Sequence, residues 1–172
     1  FFGAENSKCL PYAKAIEMVH AASLAHDDVI DLATQRRGAP SINIDASNKR
    51  AVLAGDFLLA DVIVSLSETG NLELVKQMSY VIQDLALGEW IQADAKENRN
   101  YTREIIENIA LKKTASVMSW CCYAAAIDQK LPENIIQYAK ELGSHLGLAF
   151  QLMDDSLDFS GASKKDYQLD LK

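Results

Sequence analysis

The sequence predicts an all-α protein, a single helical bundle, on three observations. Apolar residues recur at helical spacing along almost the whole chain. Only three prolines and eight glycines occur in 172 residues, which leaves room for long helices. β-Branched alternation is scarce: Asp61-Val62-Ile63-Val64 is the one plausible strand fragment, and it lies inside a helical pattern. No solenoid-period repeat and no low-complexity linker divides the chain, so one domain is expected.

Each helix has a sequence reason. Ala13, Ile16, Val19, His20, Ser23 and Leu24 share helical spacing, which predicts a first helix from about residue 11 to the low thirties. Arg36-Arg37-Gly38-Ala39-Pro40-Ser41 ends it, because Gly38 and Pro40 are helix breakers. A second helix is expected over about 49–68, and Gly70-Asn71 closes it and caps a third over about 72–97. Thr102 caps a fourth over about 103–127, with Glu104 placed to suit the helix dipole. Leu131-Pro132-Glu133 opens a fifth that runs to about Phe159, since proline is favoured in a first helical turn.

Composition narrows the function. A net charge of −7 argues against a nucleic-acid partner, which would call for a basic face. Cys9 and the adjacent Cys121 and Cys122 have neither the number nor the spacing of a disulfide framework or a zinc site. They read as reduced core or near-core thiols of an intracellular protein, cytoplasmic or mitochondrial. The most apolar stretch, Val117 to Ile127, is too short to cross a bilayer.

Two acidic clusters stand out. Asp27 and Asp31 lie four apart and stack on one helix face, with Asp28 beside them. Asp154-Asp155-Ser156-Leu157-Asp158 repeats that geometry, with Asp154 and Asp158 one turn apart. One such cluster alone would read as a solvated acidic face. Both, however, emerge from apolar runs, Ala21 to Ala25 and Leu146 to Met153, so both are expected to line an interior cavity. Paired carboxylate patches inside a bundle describe a hard-cation site, and Mg2+ keeps positions open there for water and phosphate.

In order and spacing, Asp27-Asp28-Val29-Ile30-Asp31, Arg36-Arg37-Gly38, Gly55-Asp56, Lys113-Thr114 and Phe150-Gln151-Leu152-Met153-Asp154-Asp155-Ser156-Leu157-Asp158 resemble the trans-polyprenyl diphosphate synthases. The likeness covers nearly the whole chain and is closest to the long-chain members. It implies an isoprenoid-synthase-type helical bundle around a central cavity. It also implies Mg2+-dependent condensation of an allylic diphosphate with isopentenyl diphosphate. By this resemblance Asp27, Asp28, Asp31, Asp154, Asp155 and Asp158 hold the metal, and Gln92 lines the metal and diphosphate region. Arg36 contacts the allylic diphosphate and Arg37 the isopentenyl diphosphate, while Lys113 and Lys165 reach the leaving group and Gln151 reaches the substrates. Lys112 is expected to be solvated and Phe150 to pack. Around Lys165 the chain departs from the family, with Lys164 where glycine is usual and Asp166 where proline is usual.

Further expectations follow from the resemblance. A growing tail must run back along the first helix, past Ala22 and Ser23, where short-chain members tend to place an aromatic residue. Small residues there imply a long-chain product. The family's isopentenyl diphosphate segment before the first cluster and its helices beyond the second have no counterpart in the sequence. The 172 residues are therefore expected to be a fragment of a longer synthase, inactive alone and forming a homodimer or a heterodimer with a related subunit. Two rivals are a non-catalytic partner subunit and a class I terpene cyclase. Complete aspartate clusters weigh against the first, and the second aspartate cluster after Phe150-Gln151 weighs against the other.

Overall fold

A computed structural model describes Gly3 and residues 6–159, with side chains described between 8 and 157. Lys165 lies outside the described residues. The described residues are helical apart from turns and one hairpin of two-residue strands. In order it forms α1 (Asn6–Ile30), β1 (Gln35–Arg36), β2 (Ala39–Pro40), α2 (Ile42–Asp45), α3 (Asn48–Ser67), α4 (Leu72–Asn98) and α5 (Arg103–Ala110), then a π turn (Leu111–Ala115), α6 (Ser116–Asp128) and α7 (Glu133–Phe159).

The caps fall where short polar side chains precede apolar runs. Asn71 accepts a hydrogen bond from the Leu74 amide at 3.2 Å and Thr102 accepts one from Ile105 at 3.3 Å. Pro132 precedes α7, and its carbonyl accepts from Ile135 and Ile136. Two features differ from the sequence expectation. The segment expected as a break after α1 pairs antiparallel, Gln35 with Pro40 and Arg36 with Ala39. Arg37 (φ 52°) and Gly38 (φ 78°) form its tip, a pair of positive φ angles that suits a tight hairpin turn. The fourth helix is not continuous either. Its π turn carries Lys112, Lys113 and Thr114, and the extra residue per turn fans them out to different neighbours.

α1, α3, α4 and α6 share the main core, in which Val19, Val62, Leu66, Leu74 and Met78 are fully buried. Trp120 closes it: its indole N–H donates to the Leu74 carbonyl at 3.3 Å, and Tyr12 meets its ring edge-on at 6.4 Å. A smaller cluster of Ala126, Ile136 and Ala139 joins α6 to α7. His26 locks α1 onto α3, with Nε2 3.1 Å from the Val52 carbonyl and the ring over Gly55, where a β-carbon would collide with it. The sequence expectation for the thiols holds in part. Cys9 and Cys122 are half-buried, whereas Cys121 is exposed, one helical step away from the Trp120 core face. Among the described residues no helix is long and apolar enough to cross a membrane.

Candidate active site

The C-terminal end of α1, the middle of α4, the π turn and the last turns of α7 converge on one region. Lys113 is its hub. The ammonium donates to the Glu89 carboxylate and, at 3.1 Å, to Gln92 Oε1, both from α4, and lies 4.0 Å from Asp27 Oδ2 on α1. Burial by itself lowers the Lys113 pKa, but Asp27, Glu89 and Asp31 outweigh it and the net direction is up. The lysine therefore stays charged.

Gly88 explains how Lys113 fits. A β-carbon there would come within 2.6 Å of Lys113 Cγ and 3.1 Å of Lys112 Cβ, so glycine lets the π turn close on α4. Lys112, expected to be solvated, instead pairs with Asp84 at 2.8 Å. On the far side of the turn Thr114 donates to Gln151 Oε1 at 2.7 Å, and Gln151 Nε2 donates to Asp155 Oδ1 at 2.8 Å. Adjacent residues of one π turn thus touch both motifs: Lys113 reaches the first aspartate cluster and Thr114, through Gln151, the second.

The first cluster splits between two environments. Asp28 is buried and accepts from Arg36 Nε at 2.8 Å and Nη2 at 2.7 Å. Asp27 and Asp31 are half-buried, and a cleft of about 240 Å³ lined by Asp31, Glu89, Gln92 and Lys96 opens beside them. Burial pushes the Asp27 carboxyl up to about 6, with Glu89 and Asp31 adding to the rise while Lys113 and Arg36 oppose it. Arg37 is exposed at the hairpin tip. Asp154 is half-buried and Asp155 exposed, and Asp158 lies in α7 with its side chain outside the described ones. Phe150, expected to pack, is 58% exposed, because α7 turns its Gly143 and Gly147 face to α6 and the π turn and leaves Phe150 off that face.

Asp27 sets a pH dependence that can be measured. Its folded pKa lies above the ordinary carboxylate value of 3.8, so its contribution to stability is present at low pH and is lost as pH rises through about 6. Without divalent cations, the stability of wild type relative to Asp27→Asn should fall by roughly 1–2 kcal/mol between pH 5 and 7. Thermal or urea unfolding at both pH values checks this, and a constant difference counts against it.

Glu89, which pairs with Lys113, is the residue of this region to which the sequence reading gave no role. Its signal was position: it lies three residues before Gln92 and so shares a helix face with it. The donor set suits a hard cation, since Asp27, Asp31 and Glu89 bring carboxylate oxygens together around one lysine. Among the described residues no three His, Cys, Asp or Glu side chains close a metal cage.

The fold is of the isoprenoid-synthase type. The chain belongs to the polyprenyl synthetase family, whose model matches residues 2–171. It is 43% identical over 151 residues to the mitochondrial solanesyl-diphosphate synthase 1 of Oryza sativa subsp. japonica, covering 88% of this chain and 35% of that protein. A decaprenyl diphosphate synthase from Rhodobacter capsulatus superposes with a TM-score of 0.87 at 34% identity, covering 91% of this chain and 48% of that one. A polyprenyl synthase from Caulobacter crescentus CB15, solved with calcium and isoprenyl diphosphate, gives 0.86 at 31% identity over 92% and 48%. The chain thus spans about a third to a half of the length of these relatives.

Proposed function

We propose that these residues are the catalytic centre of a prenyltransferase that condenses an allylic diphosphate with isopentenyl diphosphate into a long-chain polyprenyl diphosphate. The observation that carries this reading is the placement of Lys113 and Thr114 on one π turn between the two aspartate motifs. Condensation begins with loss of diphosphate from the allylic substrate. The isopentenyl double bond then attacks the allylic cation, and a proton leaves. Charge building on the departing diphosphate dominates the barrier, so fixed cations are the main device. Magnesium, when bound, supplies that neutralisation, as the calcium and isoprenyl diphosphate of the Caulobacter protein support.

This chain's own residues do the rest. Asp27 and Asp31 from α1, and Asp154 with Asp155 and Asp158 from α7, hold the metal. Lys113, kept charged by its carboxylate neighbours, meets the leaving group from below. Arg36 and Arg37 take the phosphates of the two substrates from the hairpin, where a planar guanidinium grips two oxygens at once. Gln92 and Gln151 lend amide donors, and the Lys165 contact completes the reading from outside the described residues.

Ala22 is fully buried, whereas Ser23 is half-buried and donates to the His20 carbonyl at 2.9 Å. Both are small, and we assign the tail path to the face beneath Asp27, which Ser23 shares. Incubating the full protein with labelled isopentenyl diphosphate and several allylic primers, then sizing the products, tests activity and length together. Products well beyond farnesyl length are expected from the wild type and markedly shorter ones from Ser23→Phe and Ala22→Phe. Ala22→Phe also overpacks a closed site, at a cost of about 1–3 kcal/mol. An unchanged ladder in both variants rejects this tail path, and no products from the wild type rejects the function.

α3 and α4 expose Leu53, Phe57, Val64, Leu72, Leu87 and Trp90. So large an apolar surface calls for a partner, for which we propose a second copy or a related subunit. The net charge gives no support to a nucleic-acid partner. The free thiols and the mitochondrial rice relative support an intracellular location, in cytoplasm or mitochondrion.

A further inference from the structure

Lys113 is held from α4 rather than from its own helix. Its ammonium carries three N–H donors. One goes to the Glu89 carboxylate and a second to Gln92 Oε1 at 3.1 Å, and these two acceptors stand three residues apart on one face of α4. Fixing two N–H directions of a tetrahedral group fixes the third. Asp27 Oδ2 is 4.0 Å away, beyond hydrogen-bond reach, so the third donor is not taken up there.

The backbone under Lys113 is fixed without Glu89. Lys112 pairs with Asp84 at 2.8 Å and Thr114 donates to Gln151 at 2.7 Å, so the residues on both sides are tied to other helices. Ser116 Oγ donates to the Lys112 carbonyl at 2.6 Å and adds a bond across the π turn. Gly88, next to Glu89, lets the Lys113 stem lie against α4. These contacts leave one thing undecided, the ammonium at the end of a flexible four-carbon chain. Glu89 is suited to decide it. Its side chain is 13% exposed against 23% for Lys113, so the carboxylate lies on the more closed side, where its charge is less screened.

We propose that Glu89 is a positioning residue: with Gln92 it holds the Lys113 ammonium in one place, so that its remaining N–H meets the diphosphate as charge builds on the leaving oxygen. The inference rests on the prenyltransferase reading of the site. A carboxylate beside a phosphate site also has a cost, because it repels the substrate. That repulsion acts on the bound diphosphate and on the transition state alike. A fixed ammonium acts most on the charge that develops in the transition state. Glu89 therefore lowers affinity for diphosphate and raises the rate.

The test sets turnover against ground-state binding in the full protein. Condensation is assayed with labelled isopentenyl diphosphate and an allylic primer at saturating Mg2+, and inorganic diphosphate binding is followed by calorimetry with and without Mg2+. In Glu89→Leu kcat should fall about tenfold or more, while diphosphate binds as tightly as to wild type or several-fold tighter. Adding Glu89→Leu to Lys113→Met should cost less than about twofold beyond Lys113→Met alone. Parallel losses of kcat and diphosphate affinity mark a merely structural role and overturn the proposal. An unchanged kcat, or losses that multiply in the double variant, also overturn it. So does a several-fold higher Mg2+ requirement in Glu89→Leu, which makes Glu89 a metal ligand. Should Glu89→Leu not fold, Glu89→Asp decides. Its shorter side chain keeps the charge but draws it back from Lys113, so kcat should fall several-fold, and wild-type kcat overturns the proposal. If the wild type forms no product, the prenyltransferase reading falls and this role with it. An active wild type with undiminished kcat in the Glu89 variants removes only the role given to Glu89.

Discussion

Asp27→Ala and Asp154→Ala should each abolish turnover, by ~1,000-fold or more at saturating Mg2+, while the helical fold persists. The two variants remove carboxylates from opposite sides of the π turn that carries Lys113 and Thr114. For Asp27 the stability effect has a sign. Its carboxyl is held at about 6 chiefly by burial, so the ionised form costs stability at neutral pH. Removing it should raise the unfolding free energy by about 1–2 kcal/mol at pH 7, while Lys113 keeps Glu89 and Gln92 as partners. Activity and urea midpoints measured on one preparation separate the two effects. Normal turnover in either folded variant would sink the metal assignment, and a large loss of stability in Asp27→Ala would contradict the burial argument.

The largest stability losses are expected where α7 approaches α6 and the π turn. A β-carbon on Gly147 would sit 2.5 Å from Ala115 Cα, and one on Gly143 would strike the Met118 carbonyl oxygen. Both obstacles are backbone and cannot step aside. Gly147→Ala and Gly143→Ala should therefore each cost about 3 kcal/mol, read as a lower urea midpoint. Gly88→Ala is the informative contrast, because its nearest neighbour is the flexible Lys113 side chain. It should fold with a smaller loss of stability while moving Lys113 away from Glu89, so that activity falls further than stability. Equal, small losses in all three variants would show that the helices shift to admit a methyl group.

Much of the fold was legible because its determinants are local. Asn71 and Thr102 cap the helices that their side chains predicted, and the observed bounds of α3 and α4 fall within a residue or so of the expected ones. The π turn was not legible. It adds one residue to a helix whose apolar spacing already fits an ordinary α-helix, and it packs closely on Gly88 and Gly147, each distant in sequence. The hairpin at Arg36 was read as a break because two residues per strand are too few to show alternation. Phe150 was expected to pack because it belongs to an apolar run, and such a run does not say which side of a helix finds a neighbour.

The sequence by itself determined the helical class, the two aspartate motifs and the basic residues grouped with them. Those depend on spacing along one chain, and 3.6 residues per turn converts spacing into a shared face without further information. Only the tertiary structure decided the partners. It gave Lys113 to Glu89, Gln92 and Asp27, gave Lys112 to Asp84, and linked Thr114 through Gln151 to Asp155. It also separated Asp28, buried on Arg36, from Asp27 and Asp31, which a sequence motif treats alike. The physical reason is that a carboxylate's role depends on its burial and on the charge facing it, and both are set by helices remote in sequence.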